Sequence, residues 1–271
     1  MFATPVLCQE QRSHNYILFS SGYDVLMDAT VSRRQRQHLA TVAEVKEIAR
    51  EHMAREGTAS LNLRAIARDM GMTPSALYRY FPSRDAILTA LVIDAYDDVG
   101  EAVEQAVAAA PVDATATAIL AAAHRFRRWA LDHPQEYGLT YGPPVPGYEA
   151  PEEETGAAAM RTTFALLGLL RRAFDLDLVT VPPDSDLPEP ILESARAMAE
   201  HKQLGLPLAA LAAACQFWTV LYGAISAEVF ARLPKPFTPN AGALFDRTIR
   251  TALAAMGIDR AAIDAGISPP Y

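Results

Sequence analysis

The stretch Leu63-Arg64-Ala65-Ile66-Ala67-Arg68-Asp69-Met70-Gly71-Met72-Thr73-Pro74-Ser75-Ala76-Leu77-Tyr78-Arg79-Tyr80-Phe81-Pro82-Ser83-Arg84 decides the fold. Leu63, Ile66, Ala67 and Met70 recur at three and four residues and make one short apolar helical stripe. Gly71-Met72-Thr73 breaks it. Thr73-Pro74 then supplies an N-cap followed by Pro at the first helical position, so a second short helix begins there and carries Leu77, Tyr80 and Phe81. Two short helices joined by a glycine-containing turn, with basic residues around them, outline a helix-turn-helix.

Outward from this stretch the chain stays helical. Val42, Val45, Ala49 and Met53 place an earlier helix from Arg36 to Gly57. Pro82-Ser83 opens a long helix from Arg84 to about Ala110, with Ile87, Leu91 and Ala95 on its inner face. Helices are expected at about 113–132, 134–140, 153–174, 190–204, 207–232 and 239–256, with Pro-dense breaks at 142–151 and 181–190. No alternating β-branched run is long enough for a sheet, so the fold class is all-α. The expected division is a flexible arm 1–35, a three-helix head 36–83, a helical body 84–259 and a tail 260–271.

Charge follows the same division. The 271 residues carry a net charge of -8, but residues 32–84 hold ten Lys/Arg against five Asp/Glu, a local +5. Residues 1–31 carry -2, leaving -11 for the rest. A basic head on an acidic body suits a module that faces a polyanion. Cys8 and Cys215 are the two cysteines, too few for a disulfide framework or a Cys-rich zinc site. The start lacks a basic leader before an apolar run, so a cytoplasmic protein is expected. Residues 206–230 contain one charge, Glu228, and are long enough to span a bilayer. Gln216, Thr219, Ser226 and the many alanines favour instead a helix buried on two sides, by its own core and by a partner subunit.

Thr58-Ala59-Ser60-Leu61, Leu63-Arg64-Ala65-Ile66-Ala67, Gly71, Ser75-Ala76-Leu77-Tyr78-Arg79-Tyr80-Phe81 and Ser83-Arg84-Asp85-Ala86-Ile87-Leu88 resemble the N-terminal DNA-binding domain of the tetracycline-repressor (TetR) family. The match runs from about Arg36 to Leu91 without a gap. The resemblance implies a homodimeric regulator that binds a palindromic operator in double-stranded DNA and releases it when a small molecule enters the body. It also implies that Tyr78 and Arg84 meet backbone phosphate.

The residue chemistry runs beside this. Arg84 stands in a first turn, where a cation opposes its own helix dipole and an external anion would compensate, and Arg64, near the start of its helix, is a third phosphate candidate. Base reading is expected from the outward positions Pro74, Ser75, Ala76, Arg79 and Tyr80, and the capping Thr73 is expected at the DNA interface with them. Arg79 suits guanine and Ala76 a thymine methyl. For Arg79 a phosphate-bound or solvated side chain fits too, and Tyr80 fits the core equally well. Arg33, Arg34 and Arg36 fit either a minor-groove arm or a solvated basic run.

In the body the expected ligand-binding residues are His124, Phe126, Trp129, Tyr137, Tyr141, Phe164, Trp218 and Tyr222, with core filling as the plain alternative for each. In a subset of TetR-type regulators a tryptophan is followed by His-Gly; here Trp218 is followed by Tyr222-Gly223. The effector is expected to be apolar and to sit between Trp129, Phe164 and Trp218, with Ala213 a possible lining residue. Cys215 is expected to be a buried small hydrophobe. His124, His133 and His201 share no metal-ligand spacing, and Glu152-Glu153-Glu154 reads as an acidic first turn. No cofactor and no membrane partner is expected. With no nucleophile elbow, phosphate loop or paired carboxylates, a regulator is favoured over a helical enzyme, and a DNA-binding regulator without a small-molecule ligand stays open as the alternative. Dimerisation is expected through the helices at 207–232 and 239–256, the second offering Leu244, Phe245, Thr248, Ala252, Leu253 and Met256.

Overall fold

The structure is a computed structural model that describes residues 32–111, 114–202 and 205–265. Of the arm expected at 1–35, residues 1–31, with Cys8, lie outside the described residues, as do residues 266–271, and Arg33 to Gln35 belong to a helix. The chain divides into two compact units, 1–47 and 48–271. Of the first, residues 32–47 are described, and they are helical from Arg33.

Eleven α-helices and no strand occur among the described residues. They are α1 (Arg33–Glu56), α2 (Leu63–Asp69), α3 (Pro74–Leu77), α4 (Arg84–Ala109), α5 (Thr115–Asp132), α6 (Pro134–Tyr141), α7 (Glu152–Asp175), α8 (Glu189–Lys202), α9 (Leu208–Val229), α10 (Ala241–Ala255) and α11 (Arg260–Ala265). The all-α expectation holds, and the breaks fall where the prolines stand.

Local chemistry explains the ends of the short helices. The Thr73 hydroxyl accepts the Ala76 N–H at 3.3 Å and Pro74 follows at the first position, as the sequence implied. Asn62 and Ser83 cap α2 and α4 in the same way. At the α2–α3 turn the Met72 N–H reaches back to the Ala67 carbonyl at 2.8 Å, which requires a left-handed residue between. Gly71 supplies it at φ 64°. The second helix of the pair is shorter than expected: regular geometry ends at Leu77, and Tyr78 to Tyr80 continue as turns, which still bring Phe81 into the core.

In the body α4 lies along α7 and α5, and α9 packs against α8, α10 and α5. Gly100 permits the close approach of α4 to α7, because a Cβ there would stand 2.8 Å from the Cβ of Arg161. Arg161 itself bridges Glu104 and Asp97 of α4, which raises its pKa.

Two departures stand out. Residues 260–265, expected as tail, form α11 with Ile263 buried, held by the antiparallel bridge between Val179 and Ile258. Half of the expected dimer stripe is spent at home: Phe245, Leu253 and Met256, with Ile249 beside them, are buried in the chain's own core. The apolar face of α10 is wide enough only for that core, leaving Leu244, Thr248 and Ala252 half-buried.

Candidate nucleic-acid interface and effector cavity

The head presents one hollow of about 460 Å³ lined by Leu61, Asn62, Leu63, Arg64, Tyr78, Pro82, Ser83 and Arg84. Three of the expected phosphate-facing residues therefore share one concavity. The caps and first residues of α2 and α4 line it, at the positive ends of both helices. Leu63, Ile66, Leu77 and Phe81 are buried beneath it and fix its walls. Tyr78, next to buried Leu77, is turned outward and 47% exposed. Arg64 is exposed, and no side-chain partner for it occurs among the described residues.

Arg84 differs from expectation. Its Nη2 donates to the Thr58 carbonyl at 3.1 Å, its Nη1 lies 3.7 Å from Asp85 Oδ1, and its Nε is buried without a partner. The protein thus supplies part of the compensation for which an external anion was invoked, because Thr58 comes within reach once the head folds. Thr73, Pro74, Ser75 and Arg79 are exposed along α3 and its turn, while Ala76 and Tyr80 are half-buried.

The body holds a second site. A cavity of about 290 Å³ is lined by Ile119 of α5, Met160, Thr163, Leu166, Leu167 and Leu170 of α7, Met198 of α8, Ala214, Cys215, Phe217 and Trp218 of α9, and Met256 beyond α10. Of the eight expected ligand residues only Trp218 lines it. Phe126, Trp129, Tyr137, Tyr141 and Tyr222 instead stack into one cluster at centroid separations of 5.2–6.5 Å, which Trp218 joins from the cavity side. Burial pushes the Tyr137 hydroxyl up to about 12, and it pairs with Ser226 Oγ at 2.7 Å; burial raises the Tyr141 pKa as well. Tyr222 donates to the Tyr141 carbonyl, so the residue at the His-Gly position of the related subset staples α9 to α6.

Three further expectations are corrected. Phe164 is 44% exposed, since the inner face of α7 is already taken by Thr163 and Leu167. His124 is buried against Asp246 (3.0 Å) and edge-on to Phe245, away from the cavity; burial lowers its pKa, with Asp246 opposing. Cys215 is exposed, not buried, at the margin of the cavity, and Ala214 rather than Ala213 lines it. The cavity residues that sequence reasoning missed do carry a signal. Met160, Thr163, Leu167 and Leu170 repeat at helical spacing as one stripe, interrupted by a hydroxyl.

The comparisons with known proteins bear on both regions. The profile of bacterial regulatory proteins of the tetR family matches residues 47–91, and that of the tetracyclin repressor-like C-terminal domain matches residues 119–252. An HTH-type transcriptional regulator of Mycobacterium tuberculosis is 32% identical over 228 residues, which is 83% of this chain and 96% of that protein. The chain belongs to the TetR family of transcriptional regulators. A counterpart from Mycobacterium bovis matches equally. Among solved structures, the regulatory protein SCO4313 aligns with a TM-score of 0.65 and 31% identity, over 82% of this chain and all of that one. RolR in complex with resorcinol aligns with a TM-score of 0.52 over 87% of this chain and 98% of its own; at 18% identity it shows the fold alone. For this TetR-family chain, then, the hollow of the head falls within the region matched at 47–91, and the cavity, Met256 apart, within the region matched at 119–252.

Proposed function

We propose that this TetR-family regulator is a homodimeric cytoplasmic repressor, held on a palindromic operator and released by a small apolar effector. The observation that carries the DNA half is the hollow in which Arg64, Tyr78 and Arg84 converge beside the exposed Ser75 and Arg79. Arg64, Tyr78 and Arg84 hold phosphate, which positions the head without reading sequence. Thr73, Pro74, Ser75, Ala76, Arg79 and Tyr80 face the bases, with Arg79 gripping guanine. Residues 36–83 form the reading head and 84–259 the sensing and pairing body.

Support for the dimer comes from α9. Cys215, Gln216, Thr219, Val220 and Gly223 are exposed on a helix whose other side is core, and none is charged. Such a face suits a second copy of the chain. Among the described residues α9 is also the one helix long and apolar enough to cross a bilayer, but its packing against α5, α8 and α10 is that of a core helix.

The effector half rests on the 290 Å³ cavity. RolR, a protein of the same fold, was crystallised with a small molecule, so the architecture accommodates one. Helix α4 begins at the Ser83 cap of the head and packs along α7, which lines the cavity. Two heads must stand about 34–36 Å apart to enter successive major grooves. An effector that favours another spacing by a few kcal/mol releases DNA.

The test is selection of an operator from random duplexes followed by anisotropy titration. Arg79→Ala is expected to relax preference at one position per half-site, at a cost of about 1–3 kcal/mol there. Failure to select any palindromic site would refute the reading.

A further inference from the structure

We infer that the effector cavity selects a neutral, flat, two-ring aromatic molecule carrying one hydrogen-bonding group, and rejects both carboxylates and aliphatic chains of equal size. This rests on reading the cavity as the effector site and goes further by naming the ligand class.

Three features carry it. The first is charge: among the described residues no Lys, Arg, His, Asp or Glu lines the cavity. An ionised ligand would be desolvated there with nothing to pair it. The second is sulphur. Met160, Met198 and Met256 are the only methionines after residue 84, and all three line this cavity together with Cys215, the only cysteine there. Four sulphur side chains thus converge from α7, α8, α9 and the end of α10, beside Phe217 and Trp218. Thioethers are polarisable and gain most against the edges of aromatic rings, while their flexible stems reshape around a flat body. An aliphatic chain forgoes those contacts and loses more conformational freedom on binding.

The third feature is Thr163. Threonines on these helices commonly bond back to the carbonyl four residues earlier, as Thr155, Thr219, Thr248 and Thr251 do. Thr163 lines the cavity, and no partner for its hydroxyl occurs among the described residues. It is placed to exchange one hydrogen bond with the ligand. Size completes the description. An apolar cavity of about 150 Å³ holds one benzene. At about 290 Å³ this one is near twice that, room for two fused rings.

The experiment is calorimetric titration of the full-length dimer, without DNA, with three probes of similar size: 2-naphthol, 2-naphthoate and 1-decanol. Naphthol is expected to bind one per subunit with Kd between about 1 and 100 µM. Naphthoate is expected to bind at least about 100-fold more weakly, and decanol about 10-fold more weakly. Thr163→Val should weaken naphthol about 5-fold and leave naphthalene unchanged. Ala214→Phe should abolish naphthol binding; Met198→Phe, with a thermal-melt control, serves if that variant does not fold. Naphthoate or decanol matching naphthol, an unaffected Thr163→Val, or no saturable naphthol binding overturns the inference. Naphthol that binds as described but leaves operator DNA occupied overturns the switch in the proposed function and not this ligand class.

Discussion

Replacing Arg64 by Gln separates DNA binding from stability, because the two are expected to move in opposite directions. Arg64 is the second residue of α2, its N–H tied to Asn62 Oδ1 at 2.9 Å, its guanidinium exposed in the hollow beside Tyr78. In the free protein a cation there opposes the positive end of the helix dipole. Its removal should stabilise the fold by about 0.3–1 kcal/mol, raising Tm by about 1–4 °C for a chain of this size. In the proposed contact with DNA the same charge neutralises a phosphate and releases counterions. Each phosphate contact contributes about 0.9 to the slope of log K against log salt, so the two heads of the proposed dimer contribute about 1.8. Between 50 and 200 mM salt, a fourfold range, the variant should therefore lose about 12-fold less affinity than the parent. Anisotropy of a labelled operator and of an unrelated duplex at three salt concentrations measures this. An unchanged slope, or altered preference between operators with non-specific affinity intact, refutes the phosphate assignment.

Arg127 meets Glu228, the one charge of α9, through two bonds of 2.7 Å with both side chains largely buried. Glu228→Gln should cost about 3–5 kcal/mol in denaturant unfolding, while the double replacement Arg127→Met/Glu228→Leu should lie within about 1 kcal/mol of the parent; equal losses in both would contradict the desolvation argument. His124 has its pKa lowered by burial, so stability is full above the unfolded value of 6.5 and declines as pH falls below it, when the unfolded chain takes up the proton first. Tm measured from pH 7.5 to 5.5 should fall more steeply in the parent than in His124→Gln. Val220→Glu sets like charges across the proposed pairing face of α9, and sedimentation at micromolar concentration should show a 29 kDa monomer that no longer holds operator DNA. Arg84→Ala should weaken all duplexes alike and also lower Tm, since Arg84 supports the Thr58 carbonyl; a variant with unchanged Tm would contradict the internal bond.

The sequence alone determined whatever depends on neighbours in the chain. The Thr73-Pro74 cap, the Gly71 turn, the Ser83 start of α4 and the inward set Leu63, Ile66, Leu77 and Phe81 all rest on contacts within five residues or on helical periodicity. So did the outward turn of Tyr78 and the all-α class. Tertiary structure alone decided which aromatics face a void and which face one another. Trp218 and Trp129 are alike as sequence, yet only the packing of α9 on α5 places Trp218 between the aromatic cluster and the cavity. The same holds for Cys215, left at the surface by the rotation of α9, and for Arg84, whose carbonyl partner is 26 residues away in the chain. The sulphur-lined cavity follows the same rule. Its four sulphurs are spread from 160 to 256, and the apolar pattern of each helix specifies burial without specifying a neighbour. Hydrophobic burial is non-directional, so a sequence encodes which face turns inward, and only the packed whole determines what that face meets.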